Sequence, residues 1–299
     1  MSKLYGALEA GGTKFVCAVG TGPDDLRDLE RFPTTTPKET LGLTQDYFKR
    51  MAQKHGPLTA LGIGSFGPLD LCTGSPTWGY ITSTPKPHWS ETPLATQLKE
   101  DLGIPVFLDT DVNGAALAEA LWGAGKGLKN LVYVTVGTGL GGGVLSEGRL
   151  VHGLVHPELG HILIPRRGDD PFQGACSFHG TCLEGLASGT ALRARWGIKG
   201  SELPQKHPAW DLEAHYLALG IQSFILTYSP EKILLGGGVL AQDFLLPLIR
   251  TKVLELLAGY VRHPFFTPEG IDDYITAPGL GIQSGILGAL ALGMGLSSS

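Results

Sequence analysis

The feature that most constrains this chain is a scheme that occurs twice, an apolar strand, a glycine turn and a second apolar strand. Residues 4–8 and 15–19 flank Glu9-Ala10-Gly11-Gly12-Thr13-Lys14, and residues 131–136 and 143–145 flank Gly137-Thr138-Gly139-Leu140-Gly141-Gly142. A β-favouring run broken by glycine reads as a hairpin, and the same hairpin met again reads as two similar halves. Apolar residues at Leu41, Phe48 and Met51, with Pro37 near the start, predict a helix over 37–54. Further helices are expected over 94–102, 114–122, 211–228, 244–257 and 282–292, with strands over 58–63, 105–108 and 232–235. Asp111 or Asn113 is the expected cap of the 114–122 helix. The Thr-, Ser- and Pro-rich stretch 72–93 reads as a loop, and 152–189 as irregular. Strands alternating with helices make the class α/β.

Composition narrows the function. The 299 residues are 42% hydrophobic, enough for a sizeable core. Acidic residues outnumber basic ones, 28 to 23, a balance that argues against nucleic acid or an anionic membrane as partner. No apolar run approaches the roughly 18 residues of a membrane span, and Gly-rich 285–296 reads as a buried helix. Met1-Ser2-Lys3 leads straight into a strand-like segment, so the expected location is the cytoplasm. Glycine, at 44 residues, has no collagen-like period and needs local reasons, such as turns or close backbone approach to a ligand.

Three groups of residues carry chemistry. His161, Cys176, His179 and Cys182 follow H-x14-C-x2-H-x2-C, two imidazoles and two thiols of the kind zinc takes tetrahedrally. Four protein ligands close the shell, so the zinc would be structural; the alternative is free thiols and surface histidines in a Gly-rich loop. Cys17 and Cys72 read as unpaired thiols. Gly11-Gly12-Thr13-Lys14 and Gly137-Thr138-Gly139 each offer a backbone cradle for phosphate oxygens, and Gly236-Gly237-Gly238 follows a third strand. Each alone is equally a tight turn; three together point to a nucleotide. Asp111, just past a strand and before a helix, reads as an ionised base or as a helix cap. Glu158, His161 and Glu184 form a polar cluster suited to the hydroxyls of a polyol, and His156-Pro157-Glu158 does not make the metalloprotease motif H-E-x-x-H.

Together these motifs, with Gly64-Ser65-Phe66-Gly67-Pro68, Asp109-Thr110-Asp111-Val112-Asn113 and Leu235-Gly236-Gly237-Gly238-Val239, resemble the ROK family of sugar kinases, and more closely its bacterial fructokinase branch. The resemblance covers essentially the whole chain. It implies a two-lobed, actin-like (ribonuclease H-like) ATPase fold with the active site in a cleft between the lobes. The small lobe is expected over 1–112, with a helix at about 282–296 packing back on it, and the large lobe over 113–281, with a zinc-binding insert at 156–184.

The resemblance also implies roles. Asp111 matches the base that deprotonates the sugar hydroxyl, and Thr110, Glu158, His161 and Glu184 match sugar-binding positions. Gly11, Gly12, Thr13, Lys14, Gly137, Thr138 and Gly139 match phosphate loops, and Gly236, Gly237, Gly238, Val239 and Leu240 the adenosine region. Mg²⁺ with ATP, a homodimer and fructose as acceptor follow by the same route. Three departures stand out: Glu9 where many members have Asp, Thr110 where the glucokinases have Asn, and His179 where the commoner knuckle has Cys. The first and last suit the fructokinase branch; the second argues against strict glucose specificity. Glucokinase, mannokinase, N-acetylmannosamine kinase and a non-catalytic sugar sensor are the alternatives. The family's repressors carry a winged helix ahead of this region, for which the start of Gly11-Gly12 leaves no room.

Overall fold

Both glycine hairpins form, and each seeds a sheet. The computed structural model describes residues 3–296. Its first elements are β1 (Leu4–Ala10), β2 (Lys14–Gly22), β3 (Asp25–Pro33), α1 (Pro37–His55), β4 (Leu58–Ser65), α2 (Leu94–Leu102), β5 (Val106–Thr110) and α3 (Asp111–Trp122). They are followed by β6 (Leu131–Val136), β7 (Leu140–Ser146), β8 (Arg149–Leu150), α4 (Leu183–Leu186), α5 (Gly189–Trp196) and α6 (Ala209–Tyr228). The last are β9 (Lys232–Gly236), α7 (Leu245–Leu257), α8 (Ile271–Tyr274), β10 (Ile275–Thr276) and α9 (Ser284–Gly293).

The strand orders are β3-β2-β1-β4-β5 and β10-β9-β6-β7-β8. In the first sheet β1 is antiparallel to β2 and parallel to β4, which is parallel to β5. In the second, β6 is antiparallel to β7 and parallel to β9, which is parallel to β10. The repeated hairpin therefore belongs to a repeated topology, with β1 and β6 in equivalent places. The chain forms two compact units, one of residues up to Gly127 with Gly148–His156 and the segment from Ile282 on, the other of Leu128–Glu147 and Pro157–Gly281. The position 112/113 lies inside α3, and the first stretch of the first unit runs on to Gly127, so that β5 and α3 stay together.

In the first unit, α1 starts where the sequence suggests. Thr36 is its cap, accepting the Glu39 N–H at 3.4 Å, and Pro37 takes the first turn, where no N–H is needed. Its buried face, Leu41, Thr44, Tyr47, Phe48 and Met51, closes over one side of the sheet. The 72–93 stretch has no helix or long strand, yet it is anchored in the core. Ile81 and Trp89 are fully buried, Ile81 bridges Leu69 and Thr92, and Trp89 Nε1 donates to the Thr35 carbonyl at 2.8 Å. Helix α9 lies against β1, β4 and α3. The approach is so close that a Cβ on Gly288 would overlap the Gly114 backbone.

In the second unit α6 is buried on nearly every side and packs on α7. Among the described residues no helix is long and apolar enough to cross a membrane. Several short or exposed elements went unread in the sequence. β3 is half exposed and carries charge at Asp25, Arg27, Asp28, Glu30 and Arg31, so no apolar alternation marks it. α5 buries only Ala191 and Leu192, and α8 with β10 spans six residues, 271–276, too few for a period to show.

Candidate active site

In the first unit the ionisable groups gather at the carboxyl ends of parallel strands, where open α/β sheets bind ligands. Glu9 of β1 pairs in register with Gly64 of β4, Gly64 with Asp109 of β5, and Ser65 with Thr110. Asp111 opens α3, but it does not cap it. Thr110, the last extended residue, accepts the Asn113 N–H on Oγ1 at 3.1 Å; Asp111 already has helical backbone, so its side chain is spared for other work. Asp111 Oδ1 accepts its neighbour's N–H, that of Val112, at 3.0 Å. Burial raises its pKa to about 6, against the lowering effect of the helix's first N–H groups. Glu9 lies against Gly285 at the start of α9. Burial first, then the charge of Asp111, lifts its pKa to about 7, with Lys14 and Arg31 pulling the other way.

Two further groups complete this end of the unit, and neither was assigned a role of its own from the sequence. Asp109 is buried; its Oδ1 accepts the Thr110 N–H at 2.7 Å and Asn113 Nδ2 at 2.8 Å, and its Oδ2 lies 2.8 Å from His152 Nε2. The buried His156 ring accepts the Leu69 N–H on Nε2 at 3.0 Å, which requires a neutral imidazole with its proton on Nδ1. The first glycine turn is tied from outside: Gly11 N–H donates to the Lys14 carbonyl at 3.0 Å, and Thr34, just past β3, donates its hydroxyl to the Gly11 carbonyl at 2.6 Å and its N–H to the Thr13 carbonyl at 3.0 Å.

The second unit holds the other turns. Leu140-Gly141-Gly142, expected to be loop, already pairs with β6, so the turn is only Gly137-Thr138-Gly139. The start of α5 braces it: Gly189 and Thr190 N–H groups donate to the Gly137 and Thr138 carbonyls at 2.8 and 3.1 Å. Gly237, at φ 97°, sits so close to Val136 that a Cβ would overlap the Val136 backbone, which brings the turn after β9 against the end of β6. Gly238, Val239 and Leu240 continue it as a 3₁₀ turn. Glu184 of α4 accepts the Leu140 N–H at 3.0 Å, and Glu158 leads into the 3₁₀ turn Leu159–His161. A Cβ on Gly160 would overlap the Leu140 carbonyl, so glycine lets this turn lie on β7.

His161, Cys176, His179 and Cys182 come together with ligand atoms all within 4.8 Å of one another. The Nδ1 atoms of His161 and His179 are 3.3 Å apart. Cys176 Sγ lies 3.7 Å from each, and Cys182 Sγ lies 3.6 Å from His161 Nδ1. A tetrahedron's edge is about 1.6 times its centre-to-corner distance, so zinc bonds of about 2.0–2.1 Å to nitrogen and about 2.3 Å to sulfur need edges of about 3.3 Å between nitrogens and about 3.5 Å between nitrogen and sulfur. These four distances match those edges within about 0.2 Å, and the donor set fits zinc. Cys17 and Cys72 are free thiols, one buried and one exposed, as read from the sequence.

The ROK family model matches residues 5–295. The fructokinase of Zymomonas mobilis is 48% identical over 98% of this chain and 97% of its own length. A glucokinase of Thermotoga maritima is 30% identical over 97% and 96%. Among solved structures, a ROK hexokinase from Thermus thermophilus superposes with a TM-score of 0.78 at 28% identity, covering 97% of this chain and 98% of that one. The α/β fold with its two sheets is that of the actin-like ATPases. With matches that run nearly end to end, the chain belongs to the ROK family.

Proposed function

We propose that the protein is a fructokinase, transferring the γ-phosphoryl group of MgATP to the 6-hydroxyl of D-fructose. The observation that carries this reading is the contrast among relatives: proteins named fructokinase are 43–48% identical over at least 93% of this chain, whereas those named glucokinase reach 27–30%.

Asp111 is the base. Its carboxylate takes the proton of the 6-hydroxyl as that oxygen attacks the γ-phosphorus, and ADP leaves. A pKa near about 6 suits the task, being ionised at neutral pH yet close enough to it to hold a proton. Glu158, His161 and Glu184 bind sugar hydroxyls, with Thr110 beside the base. His161 turns Nδ1 toward the thiols, which leaves Nε2 for the sugar. The turns Gly11–Lys14 and Gly137–Gly139 take the phosphates by their N–H groups, and residues 236–240 take the adenosine. Zinc held by His161, Cys176, His179 and Cys182 supplies a cross-link in a segment that has little secondary structure to hold it, and so fixes the orientation of His161.

The test is ADP release from MgATP with fructose, glucose, mannose and N-acetylmannosamine offered separately. Fructose is expected to exceed the others by about tenfold or more. A glucose rate equal to that of fructose would make the protein a broad hexokinase. No ADP with any of the four, from folded protein, would leave a sugar-binding protein without this activity.

A further inference from the structure

Asp109 and His152 have no place in the reading above, although they lie beside its base. Asp109 is two residues from Asp111 at the end of β5, and its carboxylate is 4% exposed. A buried carboxylate holds its place only when its lone pairs are met. Three donors meet them: the Thr110 N–H at 2.7 Å, Asn113 Nδ2 at 2.8 Å and His152 Nε2 at 2.8 Å. The first two belong to the cap and first turn of α3, the turn that carries Asp111. Asn113 Oδ1 is buried and has no partner among the described residues, so the bond to Asp109 alone orients that amide. The imidazole arrives from the 148–156 segment, far along the chain, and is 41% exposed. Its Nε2 faces the Asp109 carboxylate, which holds the His152 pKa above the ordinary imidazole value.

We propose that His152 is a positioning residue for phosphoryl transfer: by donating to Asp109 Oδ2 it locks the Asp109 carboxylate onto Thr110 and Asn113, and so sets the first turn of α3 and the carboxylate of Asp111. The inference rests on Asp111 being the base. Without the imidazole, Asp109 loses its only side-chain donor from outside α3 and turns toward water. The Thr110 and Asn113 bonds then loosen, and Asp111 shifts from its place beside the sugar hydroxyl. Misplacement of a base by a fraction of an ångström weakens chemistry while leaving binding intact.

Steady-state kinetics of His152→Ala, His152→Gln and Asp111→Asn test this, with melting temperatures measured in parallel. His152→Ala should lower kcat by about ten- to thirtyfold, with the KM values for fructose and ATP within about threefold of wild type. His152→Gln, whose amide N–H still reaches a carboxylate, should recover kcat to within about threefold. Asp111→Asn should lose about 10²-fold or more. A His152→Ala enzyme with wild-type kcat, whether its fructose KM or its melting temperature changes or not, would show that the pair only anchors the 148–156 segment and overturns the proposal. Equal losses in the Gln and Ala variants overturn it too, since the hydrogen bond would then not be the cause. Full turnover in Asp111→Asn would instead remove the base reading itself.

Discussion

At the scale of single residues, two buried carboxylates set how this protein responds to pH. Glu9 and Asp111 have pKa values raised to about 7 and about 6, and part of the rise in Glu9 is the charge of Asp111. As the base proposed above, Asp111 must be ionised to work, so kcat/KM should climb as pH rises through this interval and level above it. Coupled groups release protons in steps that belong to the pair. Glu9→Gln should leave one simple limb near about 6; an unchanged profile would show that Glu9 does not share the titration. Glu213 is a different case. Both its oxygens are buried without partners among the described residues, and burial lifts its pKa to about 8 despite nearby Arg195. Between the ordinary glutamate range and that value, the folded chain keeps a proton that the unfolded chain has lost. Stability therefore falls with rising pH, by up to about 1.4 kcal/mol per unit. Thermal melts between pH 5 and 8 should slope downward for wild type and less so for Glu213→Gln. Equal slopes would mean that Glu213 ionises without penalty.

At the scale of elements, the segment from Pro157 to Leu186 shows how little regular structure a site needs when side chains tie it. It has one 3₁₀ turn and one four-residue helix, and four His and Cys side chains whose donor atoms lie within 4.8 Å of one another. With zinc held there as proposed, treatment with a chelator, or Cys182→Ser, should raise the fructose KM by about tenfold or more while ATP affinity is lost later. Simultaneous loss of both would mean that the whole unit unfolds. That these four side chains would meet was legible because thiol and imidazole at short spacing have few other uses. Helix α2 was legible end to end, with a left-handed Gly103 at its C-terminus. Strand β3 was not, although Thr34 at its end ties down the first glycine turn. A half-exposed edge strand carries charges where a buried one carries an apolar alternation. The cap of α3 was misassigned by one residue or more, because Asp, Thr and Asn all cap well and only backbone angles separate them.

At the scale of the molecule, the chain has built the same sheet order twice from two hairpins that share little beyond their glycines. If fructose and MgATP bind the folded state alone, each should raise the melting temperature. At a hundred times its Kd a ligand adds about 2.7 kcal/mol of stability. Fructose should shift the melt more than glucose at equal concentration; equal shifts would point to a broader sugar site. Local chemistry was written into the sequence: the two hairpins, the cluster of two histidines and two cysteines, and the Asp111 motif that marks the end of a strand and the start of a helix. These depend on neighbours a few residues apart, which a sequence displays directly. Only the tertiary structure decided that His152 would meet Asp109, that Gly237 would lie on Val136, and that burial would raise Glu9 and Asp111. Pairing across long separations and the loss of water around a charge are set by how elements pack, and no local pattern of residue types encodes either.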